Sequence, residues 1–323
     1  MKNLLLFFFL IPGLFSVMQG QNVSTPENVV ITTGTEKTQV STGEDGKLLI
    51  SVTTKDLRNI VARGFVRYSD FGARGDGKSD DMDAIAAAHA FANQHLLPVK
   101  ADEPATYYIG GKNLTAVIRT NTDFGTASFI IDDTGVQNRN ANIFLVNSAL
   151  QPFKPDGITS LKRNQNKIGI TLPSSCLITV INSNIKRYIR FGPNQNNGSS
   201  QTDIFIVDKN GNVDMNAPII WDFDQITEIS AIPFDETTLT IKGGRFTTIA
   251  NQAESKYTYY SRGIAIRRSN VIVEGLEHRI TGEGDHGAPY GGFINIHDCA
   301  YVTVRNTILT GHKTYATIGS AGV

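Results

Sequence analysis

Residues 70–81 read Asp-Phe-Gly-Ala-Arg-Gly-Asp-Gly-Lys-Ser-Asp-Asp, and an alanine-rich run follows at residues 82–95. The three glycines allow backbone angles that a Cβ atom would forbid, which predicts a tight turn after a strand end. A serine or aspartate at the end of the stretch can cap a helix, and Asp81 and Asp83 place negative charge at the positive end of its dipole. Apolar residues recur behind them at helical spacing, at Ala84, Ile85, Ala88 and Phe91. The stretch therefore predicts a turn that leads into a helix with an apolar face to bury.

Residues 70–85 resemble the N-terminal motif of the pectate-lyase-type right-handed parallel β-helix superfamily. In that superfamily an Asp-Phe-Gly-Ala strand end leads through a Gly-Asp-Gly turn into an Asp-rich helix start. Its members include polygalacturonase-like glycoside hydrolases, polysaccharide lyases and tailspikes. The resemblance implies an all-β fold, namely a right-handed single-stranded parallel β-helix closed by an N-terminal capping helix. It does not select one reaction, because one fold hosts many activities.

An internal repeat begins near Thr238. Residues 239–241, 271–273 and 302–304 align with offsets of 32 and 31 residues, and residues 264–266 align with 294–296 at an offset of 30. Two strands that recur at nearly the same period are typical of a solenoid, in which each repeat pairs with its neighbour. Residues 238–323 are therefore predicted to form coils of the β-helix.

The rest of the chain divides into four predicted segments. Residues 1–20 combine an early lysine with a short apolar run and predict a cleaved signal peptide. Residues 21–53 are polar and lack a sustained period, which indicates a linker or a loosely attached extension. Residues 54–149 are assigned to the N-terminal cap and first coils. Residues 150–237 are assigned to an antiparallel β insertion, because an Asn-Gly hairpin signal lies between two alternating stretches.

The chain stops at Val323, just after a new coil begins. Because β-helices of this kind usually continue and then cap their open end, we predict that the chain is truncated at the C-terminus.

Composition and charge limit the partners. Thirty basic and thirty acidic side chains give a formal net charge of zero, which argues against a nucleic-acid partner. The signal peptide predicts export to the periplasm, the cell surface or the medium, and no stable membrane span is expected after its cleavage.

The repeat alignment places three loops on one side of the predicted solenoid, at residues 250–262, at 281–291 and from 311 onward. These loops and the strand corners supply the candidate site residues. Five are predicted to be catalytic: Glu283, Asp285, His286, His297 and Asp298. Six are predicted to bind substrate: Arg267, Arg268, Tyr290, His312, Lys313 and Tyr315.

Two reactions fit these residue types. Hydrolysis needs one carboxylic acid and one carboxylate, which Glu283, Asp285 and Asp298 could supply. Elimination from a uronic acid needs a base and a cation. The candidates are Arg267, Arg268, Lys313, His286, His297 and Tyr315, with Ca²⁺ as an alternative cation. Ca²⁺ is therefore expected only for a lyase, and the spacing of the acids predicts no metal site.

The predicted function is an exported enzyme that cleaves the glycosidic bonds of a polysaccharide, as a glycoside hydrolase or a polysaccharide lyase. The basic residues of the loops favour an acidic glycan. The Asn-Thr-Asp, Gly-His-Gly and Arg-Ile-Lys motifs of polygalacturonases are absent from the sequence. The alternative is a protein without catalysis, either a glycan-binding or tailspike-like module or an adhesive β-solenoid. Arg267 and Arg268 also have a simpler interpretation, as solvated side chains or partners of Asp298.

Overall fold

The computed structural model describes residues 29–34, 37–43, 47–138, 141–192, 195–251, 260, 262–282 and 292–310. Strand is the commonest regular secondary structure among these residues, and the described part of the chain contains two α-helices. Neither of these two helices is long and apolar enough to cross a membrane.

The elements follow one another along the chain in this order: β1 Val29–Gly34, β2 Gln39–Thr42, β3 Leu48–Thr53, α1 Thr54–Arg63, β4 Val66–Arg67, a 3-10 turn Tyr68–Phe71, β5 Asp76–Asp80, α2 Met82–His95, β6 Val99–Lys100, β7 Thr106–Ile109, β8 Ala116–Ile118, β9 Thr122–Asp132, β10 Phe144–Asn147, β11 Cys176–Arg187, β12 Ser199–Val207, β13 Glu228–Pro233, β14 Leu239–Ile249, β15 Ile264–Arg267, β16 Val271–Glu274, β17 Glu277–Thr281, β18 Ile294–Ile296, β19 Val302–Arg305 and β20 Ile308–Leu309.

The glycine-rich stretch forms the predicted turn and helix start. The buried carboxylate of Asp81 accepts hydrogen bonds from the backbone N–H groups of Arg74 (2.7 Å) and Gly75 (3.1 Å). Asp80 accepts a hydrogen bond from the backbone N–H of Met82 at 3.0 Å, so its carboxylate satisfies the first helical donor. Gly75 has a φ of +60°, and an added Cβ would lie 2.9 Å from the Cβ of Ala105. Glycine is therefore required there by both backbone angle and space.

Helix α2 is buried on almost every side, rather than on the single face that its periodicity predicts. It packs against the 3-10 turn, β4, β6 and β8, and also against strands β1, β2 and β3. These last three strands pair in the order β1-β3-β2, and Leu48, Ile50 and Val52 of β3 are buried in the same core as α2. The interpretation of residues 21–53 as a linker or loosely attached extension is therefore wrong for strands β1, β2 and β3, which begin at residue 29. The alternation of apolar residues in β3 supplies the buried face.

The strands that follow pair mainly in parallel. In the described ranges, a short sheet has the order β18-β15-β10-β8, and a long sheet has the order β19-β16-β14-β9-β6-β4 with β5, β7, β17 and β20 alongside. In the long sheet Leu239 pairs with Val271 and Val271 with Val302, and in the short sheet Ile264 pairs with Ile294. The strand register thus confirms the repeat offsets read from the sequence.

An aromatic ladder crosses the inner face of the long sheet. Tyr107 pairs with Phe129, Phe129 with Phe246, and Phe246 with His278. The rings of Phe129 and Phe246 stack with their centroids 4.6 Å apart, and the His278 ring stacks on Phe293 at 3.9 Å. These cross-strand contacts lie in the largest apolar core of the described chain, so they bind successive strands together.

A charge ladder runs across the same sheet. Neighbouring strands place Arg67, Lys100, Asp123, Lys242, Glu274 and Arg305 in one register row. Lys242 contacts Asp123 at 3.0 Å, and Arg305 contacts Glu274 at 2.7 Å. Opposite charges face each other at these steps, which favours this register over a slipped one.

Strands β11, β12 and β13 form an antiparallel sheet inserted between β10 and β14, with the order β12-β11-β13 in the described residues. This insertion has its own apolar core, which includes Ile178, Phe205 and Phe223. The predicted hairpin turn closes at Asp208, whose backbone N–H donates to the carbonyl of Asn212 at 2.9 Å. The insertion therefore contains an antiparallel sheet, and the turn that the Asn-Gly pair predicts closes after β12.

Two buried histidines make stability depend on pH. Burial lowers the pKa of His89 to about 3 and that of His278 to about 4. Neither Nδ1 has a hydrogen-bond partner among the described residues. In the unfolded chain both histidines take up a proton near pH 6.5, whereas in the folded chain they do so only at lower pH. The free energy of unfolding therefore has its full value above about pH 6.5 and decreases as the pH falls.

We expect each histidine to lower the free energy of unfolding by about 1.4 kcal/mol per pH unit between about pH 6 and pH 4.5. Urea unfolding at several pH values measures this slope. His278→Phe should remove one histidine's share of the slope in this window, whereas Phe191→Ala, which removes an exposed ring and no titrating group, should leave the slope unchanged. An equal slope in both variants would contradict the assignment to His278.

Candidate functional site

Many of the predicted site residues lie outside the described residues. They are Glu283, Asp285, His286, Tyr290, His312, Lys313 and Tyr315. The predicted residues that can be placed are Arg267, Arg268, His297 and Asp298.

Arg267 and His297 lie side by side at the end of the short sheet. Asn147 pairs with Arg267 at the end of β10 and β15, and His297 directly follows the pair between Ile266 and Ile296. Arg267 and His297 are exposed, and Asp298 is exposed beside them. Arg119 directly follows β8 in the same register and extends this row to a fourth strand. The end row, defined as Arg119, Asn147, Arg267 and His297, thus places two arginines, one exposed and one half-buried, on the outer face of the sheet.

Arg268 has a structural position that does not fit the predicted role in substrate binding. Only 5% of its side chain is exposed. Its Nε lies 3.3 Å from a carboxylate oxygen of Asp235, and its Nη2 donates to the carbonyl oxygen of Thr237 at 2.8 Å. The pairing with Asp298 considered from the sequence is replaced by pairing with Asp235. Arg268 therefore holds residues 234–237 in place. Through this return segment the chain leaves the insertion and enters β14.

Two residues of the loop at 250–262 are likewise buried. Tyr260 donates its hydroxyl to the carbonyl oxygen of Val136 at 3.2 Å. Arg262 forms a buried ion pair with Asp133 and donates from Nη2 to the carbonyl oxygen of Gly110 at 2.9 Å. These two side chains tie the loop to the sheets, so they are not part of an open glycan-binding face.

A cleft of about 610 Å³ lies between the insertion and the last strands of the long sheet. It is lined by the polar and charged residues Ser174, Ser175, Asp208, Lys209, Asn212, Asp214, Asp235, Glu236, Asn270 and Tyr301, together with Pro173, Ile206, Val213 and Phe234. This combination of carboxylates, amides and an aromatic ring is suited to a ligand that carries many hydroxyl groups.

Tyr301 is the most accessible aromatic ring of the cleft, with 53% of the residue exposed. Its hydroxyl donates to a carboxylate oxygen of Asp214 at 3.0 Å, and its ring packs edge-on against Phe234 at a centroid distance of 5.6 Å. A backbone hydrogen bond from Asn216 and this bond from Tyr301 lower the pKa of Asp214. Asp214 is therefore ionised at neutral pH, and the Tyr301 ring is held in a fixed orientation.

The other carboxylates differ in their surroundings. Asp208 accepts hydrogen bonds from the backbone N–H groups of Asn210 and Asn212, so it closes its own turn. Asp235 is paired with Arg268. Glu236, the next residue, is exposed at the cleft. Among these acids, Glu236 is the most open to a ligand.

A second recess of about 550 Å³ lies on the other side of the return segment. It shares Pro173, Ser174 and residues 234–236 with the cleft and adds Ala149 and Leu150. Because Ala149 comes two residues after Asn147, this recess continues from the end row. The recess therefore adjoins the cleft and lies close in sequence to the end row, and apolar residues such as Leu150, Phe153 and Phe234 form much of its lining.

Sequence reasoning did not find the cleft because most of its lining comes from the insertion, outside the repeat. The charges of the insertion could have indicated an acidic site. Residues 203–237 contain eight acidic residues and one lysine. Among the residues that the structure describes, no three His, Cys, Asp or Glu side chains are grouped as metal ligands.

No protein-family model matches the chain. No curated protein matches it either. Among solved structures, the tailspike protein gp49 from Pseudomonas phage LKA1 is similar to it, with a TM-score of 0.38 and 15% sequence identity over 73% of this chain and 46% of that one. This chain therefore spans less than half the length of that tailspike protein.

Proposed function

We propose that this chain is an exported right-handed parallel β-helix protein of the pectate-lyase type that binds a polysaccharide in the cleft and hydrolyses its glycosidic bonds. The fold proposal is supported by the turn-and-helix motif at residues 70–95 and by parallel strands that recur every 30 to 32 residues. The signal peptide read from residues 1–20 supports export to the periplasm, the cell surface or the medium.

The observation that carries the functional proposal is the charge of the cleft. With Asp235 paired to Arg268, three carboxylates remain against one lysine, Lys209. Hydrolysis uses carboxyl groups for both proton transfer steps. Elimination instead requires a cation beside a uronate, and an acidic cleft would repel that uronate. The cleft therefore supports a hydrolase over a lyase, and a neutral glycan over an acidic one at the bond that is cleaved.

The proposed roles follow from the surroundings of each acid. Asp214 is kept ionised by its hydrogen bonds, so it is suited to act as a nucleophile or to stabilise the positive charge that develops on the sugar. Glu236 is open to the cleft and is assigned the transfer of a proton to the leaving oxygen. Tyr301 is assigned the role of a platform on which a sugar ring packs.

The end row would extend the binding surface beyond the cleft. Arg267 and His297 can contact anionic substituents of a longer glycan, and Asp298 lies beside them. Glu283, Asp285, His286, Tyr290, His312, Lys313 and Tyr315 are proposed to belong to the same side, from the repeat alignment. If the substrate proved to be a uronate cleaved by elimination, Arg267 or Ca²⁺ would neutralise its carboxylate.

The second candidate is a glycan-binding protein without catalysis. It is favoured by the observation that Asp214 and Asp235 are already held by Tyr301 and Arg268. Residues held in this way can shape a binding surface without transferring protons. In that case the cleft would grip a polysaccharide through Tyr301 and the polar residues around it.

Binding in the cleft can be tested with two substitutions of Tyr301. Tyr301→Ala should weaken the binding of a retained polysaccharide about tenfold, because the stacking ring is lost. Tyr301→Phe keeps the ring and loses only the hydrogen bond to Asp214, so it should bind almost as tightly as the wild type. Affinity electrophoresis in gels that contain the glycan measures both effects. Equal loss in both variants would argue against a sugar platform, and an unchanged Tyr301→Ala variant would place binding elsewhere.

A further inference from the structure

The insertion carries a projecting ribbon. Strand β13 pairs with β11 only from Cys176 to Ile181, while β11 continues to Arg187 and pairs there with β12 alone. The residues of β11 beyond Asn182 are exposed or only partly covered on both faces. The two strands therefore extend past the insertion sheet into solvent.

The tip of this ribbon is apolar and uncovered. Residues 185–191 read Ile-Lys-Arg-Tyr-Ile-Arg-Phe. Phe191 is 88% exposed, Tyr188 76%, Ile189 48% and Ile185 37%. Four large apolar side chains are thus exposed within seven consecutive residues, and clusters of exposed apolar residues mark interaction sites.

The tip is also purely basic. Lys186, Arg187 and Arg190 lie within it, and no acidic residue occurs anywhere between Gly157 and Thr202. A partner with negative charge therefore meets no acidic side chain from residues 158–202. The acidic residues of the insertion are Asp156 and eight residues between Asp203 and Glu236, of which Asp208, Asp214, Asp235 and Glu236 line the cleft.

The base of the ribbon is held in place, so the tip is presented in a fixed conformation. Arg187 donates from Nε to the side-chain oxygen of Gln201 at 2.8 Å, and its guanidinium lies 4.2 Å from the ring centroid of Trp221. The backbones of Arg190 and Asn196 exchange hydrogen bonds of 3.1 and 3.2 Å. Arg187 is thus used in the base. Lys186 donates from Nζ to the hydroxyl of Ser200 at 3.1 Å but is exposed, so it can exchange this contact for one with a partner, and Arg190 is exposed as well.

We propose that residues 185–191 are an interfacial anchor that docks the protein on an anionic lipid surface. Tyr188, Ile189 and Phe191 enter the boundary between headgroups and acyl chains, and Lys186 and Arg190 contact the lipid phosphates. The two isoleucines distinguish this partner from a soluble glycan, because branched aliphatic side chains gain free energy in an apolar phase and little against a hydrated sugar.

Vesicle binding tests the proposal. The purified chain should sediment with vesicles that mix phosphatidylglycerol into phosphatidylcholine, and it should bind vesicles of pure phosphatidylcholine much less. Tyr188→Ser combined with Phe191→Ser should lower the partition coefficient more than tenfold. Lys186→Ser and Arg190→Ser should each lower it about fivefold. The matched control is Ile204→Ser, an exposed apolar residue on β12 away from the tip, and it should bind as the wild type does.

A separate measurement distinguishes entry of the tip into the bilayer from adsorption by charge alone. Trp221 is the single tryptophan of the chain, so a Trp221→Phe background that carries Phe191→Trp places one fluorophore at the tip. Its emission should shift to the blue with anionic vesicles and be quenched by lipids brominated on their acyl chains. A tryptophan at position 204 should show neither effect.

Three results would overturn the proposal. They are equal binding to neutral and anionic vesicles, binding without a blue shift at position 191, and retention of vesicle binding in the Tyr188→Ser and Phe191→Ser double variant. Binding of an anionic polysaccharide through Lys186 and Arg190, with no vesicle binding, would assign the tip to glycan instead.

Discussion

Replacing Phe246 by alanine should lower the free energy of unfolding by about 3–5 kcal/mol, which is the range for removing a fully buried aromatic ring. Phe246 stacks on Phe129 at 4.6 Å and makes edge contacts with Phe124 and Phe144. The ring is also paired in register with His278 on the following strand. Its loss therefore leaves a cavity at the point where the N-terminal strands meet the C-terminal repeats.

Urea unfolding followed by far-ultraviolet circular dichroism measures this effect. Phe246→Leu, which keeps part of the buried volume, should lose clearly less than the alanine variant. The matched control is Phe191→Ala, because that ring is exposed and its removal should change stability by less than about 0.5 kcal/mol. Similar losses for Phe246 and Phe191 would mean that the aromatic ladder is not the core of this fold.

Tryptophan fluorescence should report the unfolding of the insertion separately from that of the parallel sheets. Trp221 packs against the core of the insertion, so its fluorescence follows that part of the molecule. We expect Phe246→Ala to shift the dichroism transition more than the fluorescence transition. Coincident shifts would show that the insertion and the sheets unfold as one cooperative unit.

Substitution of Arg262 by methionine should destabilise the protein by about 3–5 kcal/mol, because it leaves the carboxylate of Asp133 buried and without its charge partner. Both side chains are almost completely buried, and Arg262 also donates to the carbonyl oxygen of Gly110. The pair therefore joins three segments that are far apart in sequence.

A double-mutant cycle checks this prediction. Arg262→Met combined with Asp133→Asn should be less destabilising than the sum of the two single changes, since the uncompensated charge is removed. The matched control is Arg305→Met, which breaks the exposed ion pair with Glu274 and should cost less than about 1 kcal/mol. Strict additivity in the buried cycle would show that the two side chains do not interact energetically.

The sequence predicted those parts of the fold that depend on local pattern. The turn chemistry of Asp80 and Asp81 and the repeat offsets after Thr238 both correspond to observed hydrogen bonds and strand registers. The first strands were missed, because residues 29–53 are polar overall and only β3 shows clear alternation. The three strands pack against α2, and this contact between distant parts of the chain cannot be read from the local sequence pattern.

The site was harder to predict, for two physical reasons. Strand alternation indicates which residues face outward within a strand, but Arg268 follows the strand end, where a change of direction buries it against Asp235. The cleft depends on where the insertion packs against residues such as Asn270 and Tyr301, more than thirty residues further along the chain. The end row was predicted in part, since Arg267 and His297 follow from the repeat, while Asn147 is separated from them by the insertion.

The most direct test of the central claim is turnover on a panel of neutral and acidic polysaccharides, with new reducing ends and the ultraviolet absorbance of unsaturated uronates followed together. We predict that reducing ends rise without that absorbance. Glu236→Gln should lower turnover about 100-fold or more while binding is kept, and Glu228→Gln, on the far side of the insertion sheet, should leave turnover unchanged. A rise in absorbance would contradict hydrolysis. Retention of a glycan with no new ends would show that the cleft binds without cutting.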